Sequence, residues 1–416
     1  MIRPCGFFAF GILLAGTFMY ASTAAAAEGA LGQTNAASPN AVKPAKIPES
    51  NVPSKETTTA AAKPKRELSP ALIALRDGVR RTLARYEKQP LNTQQNSATE
   101  IMNYCLAFGC RTEVLLDGSN GRRLNGITCL CWDYPCAGFK MLGPSERHLA
   151  ARLAYGCQEH PGEFLAMLAM SGVQANYPAR AGHQTKTVAD LVEAEKLGYR
   201  SGSDMSLKLI GLSYYVDEPQ WQNDLGETWS IERMLQDEMA QPATTAAEGG
   251  VNRLLGISYA VARREKRGEA IEGQFQRAKK YIAEFQEFAL QLQNADGSWG
   301  PSFLVARSSS PDATVQLRSS GRILEWLAMS LPDGQLEDAK VIKSVEYVIG
   351  LLGSQRYQRN LPVLSTREIA AVGHALHGLA EYDDRVLKPA DADAKPAAEA
   401  KQPSTTQRDA KGSKTR

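Results

Sequence analysis

Two kinds of helix alternate along residues 66–387, and that alternation limits what the chain can build. One kind has a single apolar stripe. Phe275, Ala278, Ile282, Phe285, Ala289 and Leu292 recur at steps of three and four, as do Val341, Val345, Val348 and Leu352. The other kind is apolar almost all round and rich in small residues. Its copies form an internal repeat: "LAMS" at 168–171 and 327–330, with weaker versions "IGLS" at 210–213, "LGIS" at 255–258 and "VGHA" at 372–375. "TEIMNYCLAFG" at 99–109 echoes "REIAAVGHALHG" at 367–378. A striped helix buries one face, whereas an all-apolar helix must be covered on every side.

The pattern predicts six hairpins, each a striped helix followed by an apolar one: 70–87 with 99–109, 145–156 with 163–172, 187–197 with 204–216, 229–239 with 249–264, 272–292 with 320–331, and 337–353 with 366–380. Ser69 before Pro70 is a good first cap. Stacked hairpins of this period bury a continuous core, and a ring of outer helices around an inner ring satisfies both kinds of helix. The expected fold is all-α, an (α/α)6 toroid, with an unclosed helical array as the other solution. Residues 111–140 are the exception. "TEVLL", "DGSNGRR" and "LNGITCLCW" predict a small Cys-rich β-hairpin excursion, a structural clip or a lid.

Export is expected from the first residues. Arg3 precedes the apolar run Phe7–Tyr20, and the Ala-rich stretch Ala21–Ala27 offers cleavage sites, so 1–27 reads as a signal peptide. The protein is then periplasmic or extracellular. Residues 28–65 are an Ala/Pro/Lys/Thr linker and 388–416 a similar tail, both too poor in large apolar residues to offset ordering entropy. The leader, linker and tail hold a surplus of positive charge that leaves the folded part near −3. No basic stripe remains inside the domain, which argues against a nucleic-acid partner. A weak contact of linker or tail with an anionic envelope surface is the electrostatic alternative. Cys105, Cys110, Cys129, Cys131, Cys136 and Cys157, even in number in an exported chain, read first as disulfides. Zinc and buried free thiols are the rival readings. No metal or other cofactor is assigned.

The stretch "QNADGSWG" at 293–300 closes a long striped helix. Read as a calcium loop it would put Leu292 and Phe303 at ligand positions, which fails. Gln293, Asp296, Gly297, Ser298 and Trp299 spell Q-x-x-D-G-S-W, which resembles the QW motif of the squalene and terpenoid cyclases, shared loosely by protein prenyltransferases. The resemblance implies an α/α toroid in which the glutamine and tryptophan brace a neighbouring helix. It does not extend to activity. No Asp-x-Asp-Asp acid motif occurs, no cysteine follows Cys157 to complete a prenyltransferase zinc set, and "GCQEH" at 156–160 puts His160 where a thioester domain has its acyl-donating glutamine.

Polar residues at the starts of the apolar helices would crowd one mouth of a toroid: His160 and Glu163, Asp204, Glu248, Arg322, and Arg367 with Glu368. Glu163 and Asp204 are the candidate catalytic acid and base for glycan cleavage; helix capping is the competing role. Glu248, Arg322, Glu368, Tyr215 and Trp326 are the candidate binding residues, with Tyr214 and Tyr259 beside them. His374 and His377, three apart on the last helix, could ligate a metal or pack in the core. The leading expectation is a binding or scaffold role for a glycan, a protein or another ligand, using the cavity or rim. A glycan hydrolase or lyase is the alternative, and isoprenoid processing comes third.

Overall fold

Ser69 caps the first helix as its sequence implies: its hydroxyl accepts from Leu72 N at 3.3 Å, and Pro70 occupies the first helical position. In the computed structural model, the structure describes residues 68–388, apart from 145–147, 359, 360, 362 and 363. The expected signal peptide, the linker and all but the first residue of the tail lie outside the described residues.

Twelve α-helices are formed among the described residues. The striped ones are α1 (Pro70–Glu87), α5 (Val188–Leu197), α7 (Ile231–Ala240), α9 (Gly273–Leu292) and α11 (Ala339–Leu352). The apolar ones are α2 (Ala98–Phe108), α4 (Glu163–Met170), α6 (Ser206–Tyr215), α8 (Val251–Lys266), α10 (Ala313–Ser330) and α12 (Thr366–Tyr382). Burial follows the two patterns. Helix α1 buries Leu72, Leu75, Val79, Thr82 and Tyr86, one stripe, while α2 buries every residue but Leu106. Capping boxes start α2 (Ser97 with Glu100) and α12 (Ser365 with Glu368).

The apolar helices pack on one another. Helix α2 contacts α4 and α12, α6 contacts α4 and α8, and α10 contacts α8 and α12. The striped helices cover them: α1 lies on α11 and α12, α5 on α4 and α6, α7 on α6, α8 and α9, and α11 on α10 and α12. A buried ion pair ties three of them. Glu238 of α7 accepts from Arg253 of α8 at 2.9 Å and from the Ser206 hydroxyl of α6 at 2.9 Å.

The repeat's small residues sit where these helices touch. A Cβ added at Gly256 would stand 2.4 Å from Ser206 O, and one at Gly373 2.5 Å from Asn103 O. At Gly211 it would meet Leu165, and at Gly321 Ala375. The α6–α8 and α12–α2 contacts are therefore nearly backbone to backbone.

The motif at the end of α9 makes a brace. Gln293 Nε2 donates to Gly297 O at 3.1 Å and to Lys340 O, at the start of α11, at 2.9 Å. Trp299, fully buried, donates from Nε1 to Ala289 O at 2.7 Å. Asp296 Oδ1 accepts from Ser298 N and Oγ. Gly297 has φ 94° and lies against the Lys343 carbonyl, which no side chain would permit.

Two expectations are corrected. The striped helix expected over 145–156 is absent from its described residues, 148–156. Leu149–Ala151 is instead a strand, β5, antiparallel to β4 (Leu142–Pro144), so its backbone hydrogen bonds go to that strand and not to a helical turn. In the excursion, β1 (Leu91–Asn92) runs parallel to β2 (Glu113–Leu115), which pairs antiparallel with β3 (Arg123–Asn125). This hairpin contains no cysteine, because the expected second strand turns into the short helix α3 (Gly126–Cys131) when Asn125 caps it, accepting from Thr128 N. No two of the six cysteines stand at bonding distance in this structure. All but Cys110 are buried, behaving as small apolar side chains, and burial pushes the Cys105 thiol up to about 12. The remaining strand pairs are short: β6 (Pro178–Ala181) with β7 (Gln184–Thr187), and β8 (Trp221–Gln222) with β9 (Thr228–Trp229).

The glycine contacts are testable by reversing a rule. Gly→Ala inside an exposed helix usually stabilises by about 0.5–1 kcal/mol. Gly350→Ala on α11, where a Cβ meets open space, is expected to follow it. Gly256→Ala and Gly373→Ala are expected instead to destabilise by roughly 1–3 kcal/mol, through overpacking. Urea unfolding of the three variants checks both signs.

Candidate functional site

A cavity of about 400 Å³ lies among the apolar helices and is lined from all six of them. Its apolar wall includes Met102 and Leu106 of α2, Met167 and Met170 of α4, Leu207 of α6 and Leu255 of α8. Its polar lining comprises Asn103, Glu159, His160, Glu163, Glu248, Asn252, Arg318, Arg322, Glu325, Thr366, Arg367 and His374.

Glu325 is the electrostatic centre of this lining. It sits in α10 between Leu324 and Trp326 and is 1 % exposed. Arg322 Nη1 donates to its Oε2 at 2.9 Å, His377 Nδ1 lies 2.6 Å from Oε1, and His374 Nδ1 lies 3.1 Å from Oε1. Burial alone would raise this carboxyl. The neighbouring His374, Arg322 and His377 overcome it and hold the group well below its ordinary range. His377 responds in the opposite sense. Burial works against its charged form, but hydrogen bonding to Glu325 and Glu381 prevails and holds it up to about 10. His374, facing the cavity, is lowered by burial and by Arg322 beside it, against the pull of Glu325. Both histidines considered as metal ligands therefore turn to one carboxylate.

Arg322 is 5 % exposed, and every hydrogen bond of its guanidinium is made by Nη1, to Glu325 and to the His374 ring. Its Nε is buried with no partner, as is Asn252 Oδ1 on the same wall. At the mouth, Glu248 pairs with Arg318 through both carboxylate oxygens, with Arg318 Nε at 2.9 Å. Burial would raise Glu248, but Arg318 and Arg322 bring it below its usual range. Glu248 has φ 55° and ψ 38°, followed by Gly249 and Gly250 at φ 59° and 91°. A left-handed glutamate is costly, and such strain gathers at functional sites.

The expected residues separate cleanly. Glu163, Glu248 and Arg322 line the cavity, with His160 and Arg367. Glu163 Oε2 accepts from Glu159 N at 2.7 Å and His160 N at 3.2 Å, while burial raises its pKa against those two bonds. Asp204 is not in the lining. It receives Ser206 N and Oγ on Oδ1 and Ala247 N on Oδ2, a capping role. Glu368 is likewise occupied, by Ser365 and by Arg356 at 2.9 Å. Tyr215 donates to Val173 O at 2.8 Å, away from the cavity, and Trp326 is core, donating from Nε1 to Ser258 Oγ at 3.0 Å. Glu325, Arg318 and Asn252 were not among the expected residues. A glutamate inside an otherwise apolar helix is the signal that points to the first, since a buried charge survives only when paired.

The Glu325–His377 pair makes a pH prediction. His377 is raised in the folded state above its ordinary 6.5, so its contribution is complete below about 6.5 and lost as pH rises through about 10. Unfolding free energy should therefore decline between about pH 6.5 and 10 by an amount absent from His377→Gln. That variant, which strips a buried carboxylate of a charged partner, should also be less stable at pH 7 by roughly 3–5 kcal/mol. Urea titrations of both proteins across this range measure the difference.

Comparison with protein-family models, with curated proteins and with solved structures finds no match to this chain.

Proposed function

We propose that this protein is an exported α/α toroid that binds a small polar ligand in its central cavity. The observation that carries the reading is the cavity itself. It is lined from six helices and combines an apolar wall with charged side chains, among them Arg322, Arg367, Glu159 and Glu163. The volume falls in the range of small-molecule sites, about 300–1,000 Å³. Toroidal closure is supported by the neighbour order α2, α4, α6, α8, α10, α12 and back to α2, and by the Gln293 brace onto α11. Likeness to the terpenoid-cyclase fold is proposed for the scaffold alone. Export is proposed from the leader-like first residues.

Glycan cleavage is the second reading, and one observation favours it: Glu163 lies in the cavity with a raised pKa, as a general acid requires. Its expected base, Asp204, is spent on capping α6 and the Ala247 turn. Glu248 is bound by Arg318. No second carboxylate is left unengaged opposite Glu163 in the way an acid–base pair needs.

Filling the cavity tests the leading reading. Protein purified without denaturation from an exporting culture is expected to release a small molecule on unfolding. Ala370→Phe, on the cavity face of α12, should carry none while melting normally. Equal release from both proteins would sink the cavity site. Hydrolysis of oligosaccharides that disappears in Glu163→Gln, with melting unchanged, would establish the second reading instead.

A further inference from the structure

We infer that the cavity's ligand is a small zwitterion with an apolar middle, of the class of free apolar dipeptides: a carboxylate at one end, an ammonium at the other. This rests on the cavity-binding toroid proposed above.

The unpaired charges of the lining are segregated. Its three arginines, Arg318, Arg322 and Arg367, come from α10 and α12, and two of them face carboxylates of the lining, Arg318 with Glu248 and Arg322 with Glu325. Glu159 and Glu163 come from the start of α4 and the turn before it. Helix α4 packs on α2 and α6, and α10 on α8 and α12, so in a six-membered ring these two stand across from each other.

At the arginine end, Arg322 is set up for a carboxylate. Nη1 is taken by Glu325 and His374, which fixes the plane of the guanidinium. The remaining edge, Nε with Nη2, makes no hydrogen bond among the described residues, and Nε is buried. Nη2 is therefore the guanidinium nitrogen left to donate to a ligand carboxylate oxygen. Arg367, exposed at the rim, has no ion pair or hydrogen bond among the described residues and adds a second positive charge. Arg318 is already neutralised by Glu248.

At the other end, both backbone N–H groups that hold Glu163 fall on Oε2, leaving Oε1 as an acceptor. Glu159 projects beside it, exposed. An ammonium placed there would favour the ionised form of Glu163. Between the two ends lie Met102, Leu106, Met167, Met170, Leu207 and Leu255. Methionine is adaptable, which suits a variable apolar side chain better than one fixed shape.

The test is calorimetric titration of the full chain with Leu-Leu, N-acetyl-Leu-Leu and Leu-Leu amide. The free dipeptide should bind, and each end-blocked form should bind at least ~10-fold more weakly, one lost charge-assisted contact each. Arg367→Ala should weaken Leu-Leu several-fold and leave the amide unaffected. Glu163→Gln should weaken Leu-Leu and leave the N-acetyl form unaffected. Arg322→Lys, which keeps the charge and removes the planar guanidinium with its Nη2 donor, should lose more than Arg367→Ala. If that buried variant fails to fold, the two surface-facing variants still decide. Blocked and free peptides binding alike, or rim variants that affect all three alike, would overturn the zwitterion. So would the absence of any peptide binding when the neutral dye N-phenyl-1-naphthylamine binds the wild type and not Ala370→Phe; cavity binding would then stand alone. Peptide binding that persists in Ala370→Phe would overturn both.

Discussion

The close approach of the apolar helices is the constraint on which the rest depends. At Gly256 and Gly373 one helix backbone rests almost directly on another's carbonyl. Packing at that distance lets each apolar helix touch two others. Larger residues at these positions would push the helices apart and enlarge the central space beyond what its side chains line. The same small residues produced the sequence repeat. The repeat is therefore a record of contact geometry, and its period is the spacing of the hairpins.

A second constraint is electrostatic. Glu325 lies within α10 at full burial, where an unpaired carboxylate would cost several kcal/mol (order of magnitude). Arg322 from the same helix and two histidines from α12 surround it. The group ties α10 to α12, already in intimate contact through Gly321 and Gly378. An apolar residue at 325 would fill the same space at less electrostatic cost, so stability alone does not account for a carboxylate there. What the carboxylate adds is orientation: it fixes Arg322, a residue of the cavity lining, by one nitrogen. The strained Glu248 holds Arg318 at the mouth through both of its carboxylate oxygens.

Local patterns were legible in the sequence and distant partnerships were not. The brace of Gln293 and Trp299 is written within seven residues, and the stripe of α9 is fixed by its own spacing, so both were readable. Residues 145–156 have helical periodicity too, but a neighbouring strand supplied another use for the backbone of Leu149–Ala151. Cys129 and Cys131 look like strand residues until Asn125 caps a helix over them. In the site, Glu163 and Asp204 are the same feature in sequence, an acid at a helix start. Whether the carboxylate reaches the cavity or folds back onto Ser206 depends on how each helix is tilted. His377 and Glu325 are 52 residues apart, and nothing in either segment names the other.

The polar groups of the lining also discriminate between chemistry and recognition. A catalytic acid and base must be free to give and take a proton at the substrate, with a route to reset. Here Glu325, Glu248 and His374 each have their polar atoms directed at another residue of the protein, and the two charged pairs they belong to are closed. Among the described residues, the charged lining side chains left without a partner are Arg367 and Glu159, together with one oxygen of Glu163. On the proposed binding reading, an apolar wall between such groups selects a ligand by where its charges lie.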